Sequence, residues 1–472
     1  MIRTALAAGA LALGGVGANA QTEIVWWHAM GGALGEAVNK IAESFNAEQD
    51  EVVLTPIYKG NYEETLTATI AAFRAGEQPN IVQVFDAGAA TIIGATGATI
   101  PVEDLLNANG HEFSIDEYIN GVRYFYADAS GKMVGMPFNS SSPILYYNET
   151  ALEEAGVEPP KTWEEFAETT APALKEAGYI PLAQSHLPWI FTENFMSRHN
   201  QQFATNANGY EGVEGTELLV ENEHLMAHFS ALKEWYDAGL FGYYGAGWAD
   251  NQQPFEAGEV AMWIGSSASF SGLKQSTDFP FSATFLPYWE AAAGAPEAVD
   301  LTAALAEIDI NNTTPLQALN ILAELQAQAS APAVGGYNTF IGGAALFAMS
   351  GKPEEENAAT AAFFDWLDNP EPQVMWHKDT GYVPITEAAY DLAKEQGYYE
   401  EEPAAEVGIQ QLSLPGGEWT RGYRMGFYVQ IRDVMNREYA RIFAGETTVE
   451  DAFATITEEG NQLLARFAQT QG

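Results

Sequence analysis

The mature part of the chain opens on an alternating pattern. Glu23–His28 is rich in apolar and aromatic residues and reads as a strand. Apolar residues then recur at helical spacing at Leu34, Val38, Ile41, Ala42 and Phe45, which predicts a helix over 34–46. Val52–Tyr58 reads as a second strand, Tyr62–Ala75 as a second amphipathic helix and Ile81–Phe85 as a third strand. Short strands alternating with helices predict parallel pairing through right-handed crossovers, the start of an open α/β sheet. Ligands sit at the carboxyl ends of strands in such sheets, so His28–Met30, Lys59–Tyr62 and Asp86–Gly88 are the first places to look for chemistry.

Further along, Tyr124–Phe138 reads as a hairpin around Ser130-Gly131-Lys132. The polar, proline-marked stretch Phe138–Pro143 leads into a short strand, Ile144–Asn148, and from Thr162 a second α/β block begins. Similar breaks recur around Ala261–Ser267 and Leu346–Lys352. Three such crossings would interleave two lobes around one cleft. The expected first lobe is 21–138 plus about 268–348, the second about 143–262 plus 352–472, and the crossings lie near 139–142, 263–267 and 349–351. Pro315–Ala329 has helical spacing with Thr313-Thr314 as its cap, so the stretch 289–336 is expected to dock on the surface of the first lobe.

Composition narrows the picture. The 472 residues include no Cys, which removes disulfides, thiol nucleophiles and Cys-ligated metals. Lys and Arg number 20 against 64 Asp and Glu, a net charge of −44 that makes nucleic acid and anionic lipid poor partners. The acids are dispersed, which reads as a solvated acidic surface and would fit a saline habitat. Residues 1–20 carry one charge, Arg3, then an apolar run and the small-residue end Ala18-Asn19-Ala20. That is the pattern of a secretory signal peptide cleaved before Gln21, with no cysteine after the cut for a lipid anchor. The expected product is an exported protein of a Gram-negative periplasm.

Catalytic signals are weak. His224 and His228 stand at i,i+4 but lack the Glu of a zinc-protease motif, and read as a surface pair, not a metal site. No nucleophile elbow or Walker loop occurs, and among 64 acids chance carboxylate pairs carry no information. No enzyme activity, metal or cofactor is expected.

Several ordered stretches carry a resemblance. They include Trp27-His28, Tyr58–Glu63, Phe138–Ser141, Leu145–Asn148, Pro160–Trp163, Trp376-His377 through Thr380–Thr386 to Glu395–Gly397, Gln430–Arg432 and Gly460–Leu464. Together they resemble the periplasmic sn-glycerol-3-phosphate-binding components of ATP-driven importers, a family related to maltose-binding protein. The resemblance implies a type II periplasmic binding fold, capture of a phosphorylated polyol by hinge closure, and delivery to membrane permease subunits with a cytoplasmic ATPase. A monomer is expected. The ligand positions it implies are Tyr62, Asp86, Ser141, Ser266, Gly343, Tyr382 and Arg432; the family usually has Glu where Asp86 stands. Around Gln184–Trp189 a family aromatic looks replaced by His186, and 289–336 is longer than the family's connection there.

The chemistry is consistent with those positions. Arg432 supplies a planar fork for phosphate oxygens, and Ser141, Tyr62 and Tyr382 supply hydroxyls. Ser266 can open a helix whose free N–H groups favour an anion, Gly343 permits close backbone approach, and Asp86 would accept from polyol hydroxyls. Each also has a plain structural reading. Arg432 could bridge acids, Tyr62 and Tyr382 could be core aromatics, Ser141 and Ser266 caps, Gly343 a turn or packing glycine, and Asp86 a helix cap. The rival ligand is a neutral oligosaccharide stacked on Trp27, Trp189 and Trp263, with Arg432 structural; His186 is a candidate further cleft wall, for a diester's head group. The enzymatic rival is a secreted glycerophosphodiesterase.

Overall fold

A computed structural model describes residues 21–290 and 336–470, apart from 96, 124 and 129. The leader 1–20 and the predicted helix Pro315–Ala329 lie outside the described residues.

Two sheets divide the molecule. The first has the order β2-β1-β3-β11-β4, with β1 Thr22–His28, β2 Val52–Tyr58, β3 Ile81–Phe85, β4 Thr99–Ile100 and β11 Ala344–Met349; β5 Met136–Pro137 pairs with β11. β1 runs parallel to β2 (Thr22 opposite Val52) and to β3 (Trp26 opposite Ile81), whereas β11 returns antiparallel to β3. Pro56 is tolerated because β2 is the edge strand, where a missing N–H costs no ladder bond. β3 is buried throughout, as a central strand covered on both faces must be. Its neighbour helix Tyr62–Ala75 starts at a complete capping box: Asn61 accepts from Glu64 N, and Glu64 accepts from Asn61 N, each at 2.8 Å. Gly76, at φ +72°, ends it.

The second sheet has the order β10-β6-β9-β7-β8: β6 Pro143–Asn148, β7 Ile180–Gln184, β8 Phe241–Gly242, β9 Val260–Ser266 and β10 Phe281–Thr284. β6 runs antiparallel to both β9 and β10, while β7 is parallel to β9.

The pairing corrects two of the expected crossings. The chain enters the second sheet after Phe138–Ser142, but it does not leave at 263–267: Phe281 pairs with Asn148, so 281–284 stays in the second lobe. It returns at Thr339–Gly343, where Ser141 and Gly342 form an antiparallel bridge and the Thr339 and Ser142 hydroxyls meet at 2.8 Å. Nor is 349–351 a crossing. Met349 N donates to Asn80 O and Ser350 N to Ala98 O, both in the first lobe. The helices Glu354–Asp368 and Pro370–Thr380 then cover the first sheet, with Phe363 against Trp26 and Phe45, and Trp376 stacked on Phe138 at 4.3 Å. The chain leaves again past Ser140, whose carbonyl accepts from Val383 N, and helix Pro403–Leu412 docks on the second lobe. Gln411 there ties Pro143 O, Ser142 Oγ and Leu286 N together at the junction. Breaks in periodicity mark where an element ends; which sheet the next strand joins is decided by distant pairing.

Candidate functional site

The cleft is built around Asp86. It follows β3 directly and opens the helix Asp86–Ile93, its N–H donating to Gly343 O and its Oδ1 accepting from Ala87 N. Gly343 has φ +104°, and a Cβ there would lie 1.5 Å from Asn139 O. Only glycine lets the two crossing strands approach so closely. On the opposite lobe, helix Tyr428–Ala444 carries Arg432, and a π-helical stretch, Pro188–Glu193, carries Glu193. Such wide turns are frequent at functional sites.

These three side chains meet. Arg432 Nη1 and Nη2 donate to Asp86 Oδ1 (3.2 Å) and Oδ2 (2.8 Å), while Nε and Nη2 donate to Glu193 Oε1 (2.8 Å) and Oε2 (2.7 Å). Tyr423 Oη takes a further bond from Nη2, and Tyr428 donates to Glu193 Oε1 at 2.9 Å. Asp86 and Arg432 are 6% and 8% exposed, and Glu193 is fully buried. The paired carboxylates hold Arg432 firmly charged. Burial pushes Glu193 up, aided by Asp86, against the pull of Arg432 and Tyr428. Arg432 thus bridges acids across the two lobes, in the interior and not at the surface.

Aromatic hydroxyls surround the ion cluster. Tyr62 stacks on Phe85 at 5.0 Å, and Tyr382 stacks on Trp376. The Tyr62 and Tyr126 hydroxyls are buried without a hydrogen bond of normal geometry, and both feel the Asp86 charge. Burial raises the pKa of Tyr62, Tyr126 and Tyr382, so all three are neutral donors. Ser141 enters the junction through its backbone bridge to Gly342, and Ser266 Oγ caps the turn that follows β9 by accepting from Ala268 N. Nearby, burial first and then the Arg432 charge push the pKa of His186 down to about 3; its Nδ1 accepts from Trp189 N.

Not every predicted residue lines the cleft. Trp263 is fully buried in the second lobe between Tyr146 and Phe255, because β9 is apolar along its length and covered on both faces. Trp189 is 3% exposed, and a Cβ on Gly342 would strike its ring. Trp27 is half-buried, with the Lys59 ammonium 3.9 Å from its ring centre. His228 is no surface residue: it sits among Trp163, Phe191 and Phe195, and its Nδ1 accepts from Trp289 Nε1 at 3.0 Å. Glu193 and Tyr126 escaped the sequence reading. A signal for Glu193 existed, since it is the lone charge in the apolar run Pro188–Met196.

Relatives show the family, and solved structures match the fold. The family of bacterial extracellular solute-binding proteins matches residues 40–407. The chain is 36% identical to the sn-glycerol-3-phosphate-binding periplasmic protein of Pectobacterium atrosepticum, over 99% of this chain and 97% of that one. It is equally identical to the protein of the same name from Escherichia coli K12, over 99% and 98%. In fold it is similar to a Mycobacterium tuberculosis UgpB solved in complex with glycerophosphocholine (TM-score 0.72, 20% identity, 95% of this chain and 100% of that). It is also similar to the cyclic alpha-maltosyl-1,6-maltose binding protein of Arthrobacter globiformis (TM-score 0.69, 19% identity, 95% and 100%). The chain belongs to the bacterial extracellular solute-binding proteins.

Proposed function

We propose that this protein is the periplasmic receptor of an ATP-driven importer and captures sn-glycerol 3-phosphate or its diesters. The observation that carries the reading is the 36% identity, end to end, to proteins named for binding sn-glycerol 3-phosphate. The site chemistry supports it. A phosphate takes the end-on fork of Arg432, matching two N–H bonds to two oxygens. Asp86, released from that fork, accepts from the glycerol hydroxyls, and Tyr62, Tyr126 and Tyr382 offer neutral donors. Ser141, Ser266 and Gly343 lie where the lobes join and contribute hydroxyls and close backbone. Ligand bridging both lobes favours the closed form, which the permease subunits recognise; the protein itself converts nothing. Export follows cleavage before Gln21, and the receptor acts as a monomer.

Calorimetry of ligand-free protein against sn-glycerol 3-phosphate, glycerophosphocholine and maltose tests this. Heat with either phosphorylated ligand and none with maltose is the expected result. Saturating ligand also shrinks the radius of gyration seen by X-ray scattering. Binding of maltose alone sinks the reading; Trp263, sealed inside the second lobe, already offers no face to a sugar.

A further inference from the structure

Arg432 offers two forks, and each is filled by a carboxylate of different allegiance. Glu193 occupies the side-on fork, Nε and Nη2, from the same lobe as Arg432 itself. Asp86 occupies the end-on fork, Nη1 and Nη2, from the opposite lobe. Opening the cleft therefore separates Asp86 from Arg432 and leaves Glu193 in place. In this structure the Asp86 carboxylate sits where a phosphate would have to bind.

The local charge inventory is one cation against two carboxylates. The groups facing Asp86 are Tyr62, Tyr126 and Tyr382, all neutral. Those facing Glu193 are Tyr423, Tyr428 and Tyr439, and His186, beside Arg432, is neutral as well. None supplies a second positive charge. A phosphate monoester is close to doubly charged above pH 7. Seated on Arg432 beside two ionised carboxylates, it would leave three uncompensated negative charges in a site closed to water, where like charges cannot all stay ionised.

Resting on the function proposed above, we infer that Glu193 is the permanent positioning partner of Arg432 and takes up a proton from solvent when a doubly charged phosphate displaces Asp86. Asp86, once released, keeps the Ala87 N–H and gains the ligand's hydroxyls, so donors still occupy its oxygens. Glu193 is sealed, its carboxyl already raised by burial, and the hold of Arg432 weakens as the guanidinium is shared with phosphate. Protonated Glu193 still accepts from Arg432 Nε, so the fork stays aimed. A singly charged diester adds one charge fewer and draws much less of a proton.

Calorimetry of the full chain at pH 7.5 in two buffers of different ionisation enthalpy counts the protons. Glycerol 3-phosphate is expected to take up close to one proton per site and glycerophosphocholine close to none. In Glu193→Gln the proton uptake per mole of glycerol 3-phosphate bound falls to near zero, whatever the change in affinity. Binding without uptake in the parent protein, or undiminished uptake in Glu193→Gln, overturns the inference and leaves the function standing. Absence of heat with both ligands overturns the function and the inference with it. Should the variant not fold, infrared difference spectra of the parent protein labelled with 13C-glutamate decide. A ligand-induced protonated-carboxyl band that shifts with the label supports Glu193, and an unshifted or missing band refutes it.

Discussion

Two arginines are buried in the second lobe, and they are held in opposite ways. Arg432 lies between two carboxylates, one from each lobe, and they keep it charged. Arg198, 1% exposed, donates to the main-chain carbonyls of Tyr337 and Leu286, and burial pushes its pKa down to about 10. Leu286 and Tyr337 lie on either side of residues 291–335, so Arg198 pins the chain where it departs and where it comes back. Gly336 is needed beside it: φ is +93°, and a Cβ would lie 2.7 Å from the guanidinium carbon. A cation balanced by carbonyl dipoles is a staple, because those carbonyls have nowhere to go. A cation balanced by carboxylates on movable lobes is an exchange site, since another anion can replace one of them.

Arg198→Ala tests the staple and carries the largest expected effect. Two carbonyls, that of Leu286 buried and that of Tyr337 partly so, lose their donor at about 1–3 kcal/mol each, so a total of roughly 2–6 kcal/mol is expected in urea denaturation. Binding by the fraction that stays folded should be unchanged. An unaltered unfolding midpoint would show that those carbonyls have other partners. Lysine recovers only part of the loss, because a point charge cannot reach both oxygens in the geometry of the fork.

Arg432→Ala tests the exchange site. Truncating one partner of a buried charged pair costs about 2–5 kcal/mol of binding, or roughly 30- to several-thousand-fold in affinity. Stability should respond to pH as well. Without the guanidinium, Glu193 keeps the burial and the neighbouring Asp86 charge that raise its folded pKa above the unfolded value, and loses the cation that opposed them. Such acids stabilise the fold while protonated and lose that contribution as pH rises. The variant is therefore expected to be closest to the parent near pH 4 and to fall behind it towards pH 8. Affinity for glycerol 3-phosphate within threefold of the parent would end the phosphate assignment; loss of stability alone would make Arg432 a second staple.

The same contrast explains what could be read from the chain. β2, β3 and helix Tyr62–Ala75 fall where the pattern puts them, because their ends are set locally, by the Asn61 cap, by Gly76 and by Asp86 after a strand whose only polar residue is Gln83. Asp86 stood out by position alone. The second and third crossings were misplaced, because the partner of Phe281–Thr284 is Pro143–Asn148, far back in the chain, and nothing local announces it. Trp263 was expected at the cleft and His228 at the surface, and both are buried, because periodicity does not tell a covered face from an open one. Arg432 was singled out through likeness to a family, and its partner Glu193 was passed over. Alone, an acid in Pro188–Met196 looks like an anomaly; it makes sense only once a guanidinium 239 positions later is placed against it.

A half-buried carboxylate with no ion pair among the described residues sharpens the comparison from the other side, with the smallest expected effect. Asp368, at the end of helix Glu354–Asp368, accepts from the Tyr118 hydroxyl at 2.5 Å. Burial pushes its pKa up to about 6, with Glu117 and Asp365 adding to the rise and the Tyr118 bond opposing it. The sign follows directly. The folded pKa lies above the unfolded value, so the folded state binds more protons between pH 4 and 6 and stability is lost as pH rises through that window. Asp368→Asn keeps an acceptor for Tyr118 and removes the titration. Melting temperatures of the two proteins, taken from pH 4 to 8, should nearly coincide at the acid end. They should part as pH rises from 4 to 6 and stay apart above it, with the variant's melting temperature the higher by the equivalent of on the order of 1–2 kcal/mol. Differences between the two curves cancel every other titrating group they share. A constant offset across the whole range would mean that Asp368 ionises freely, and that a half-buried carboxylate in this fold does not need a guanidinium beside it to stay charged.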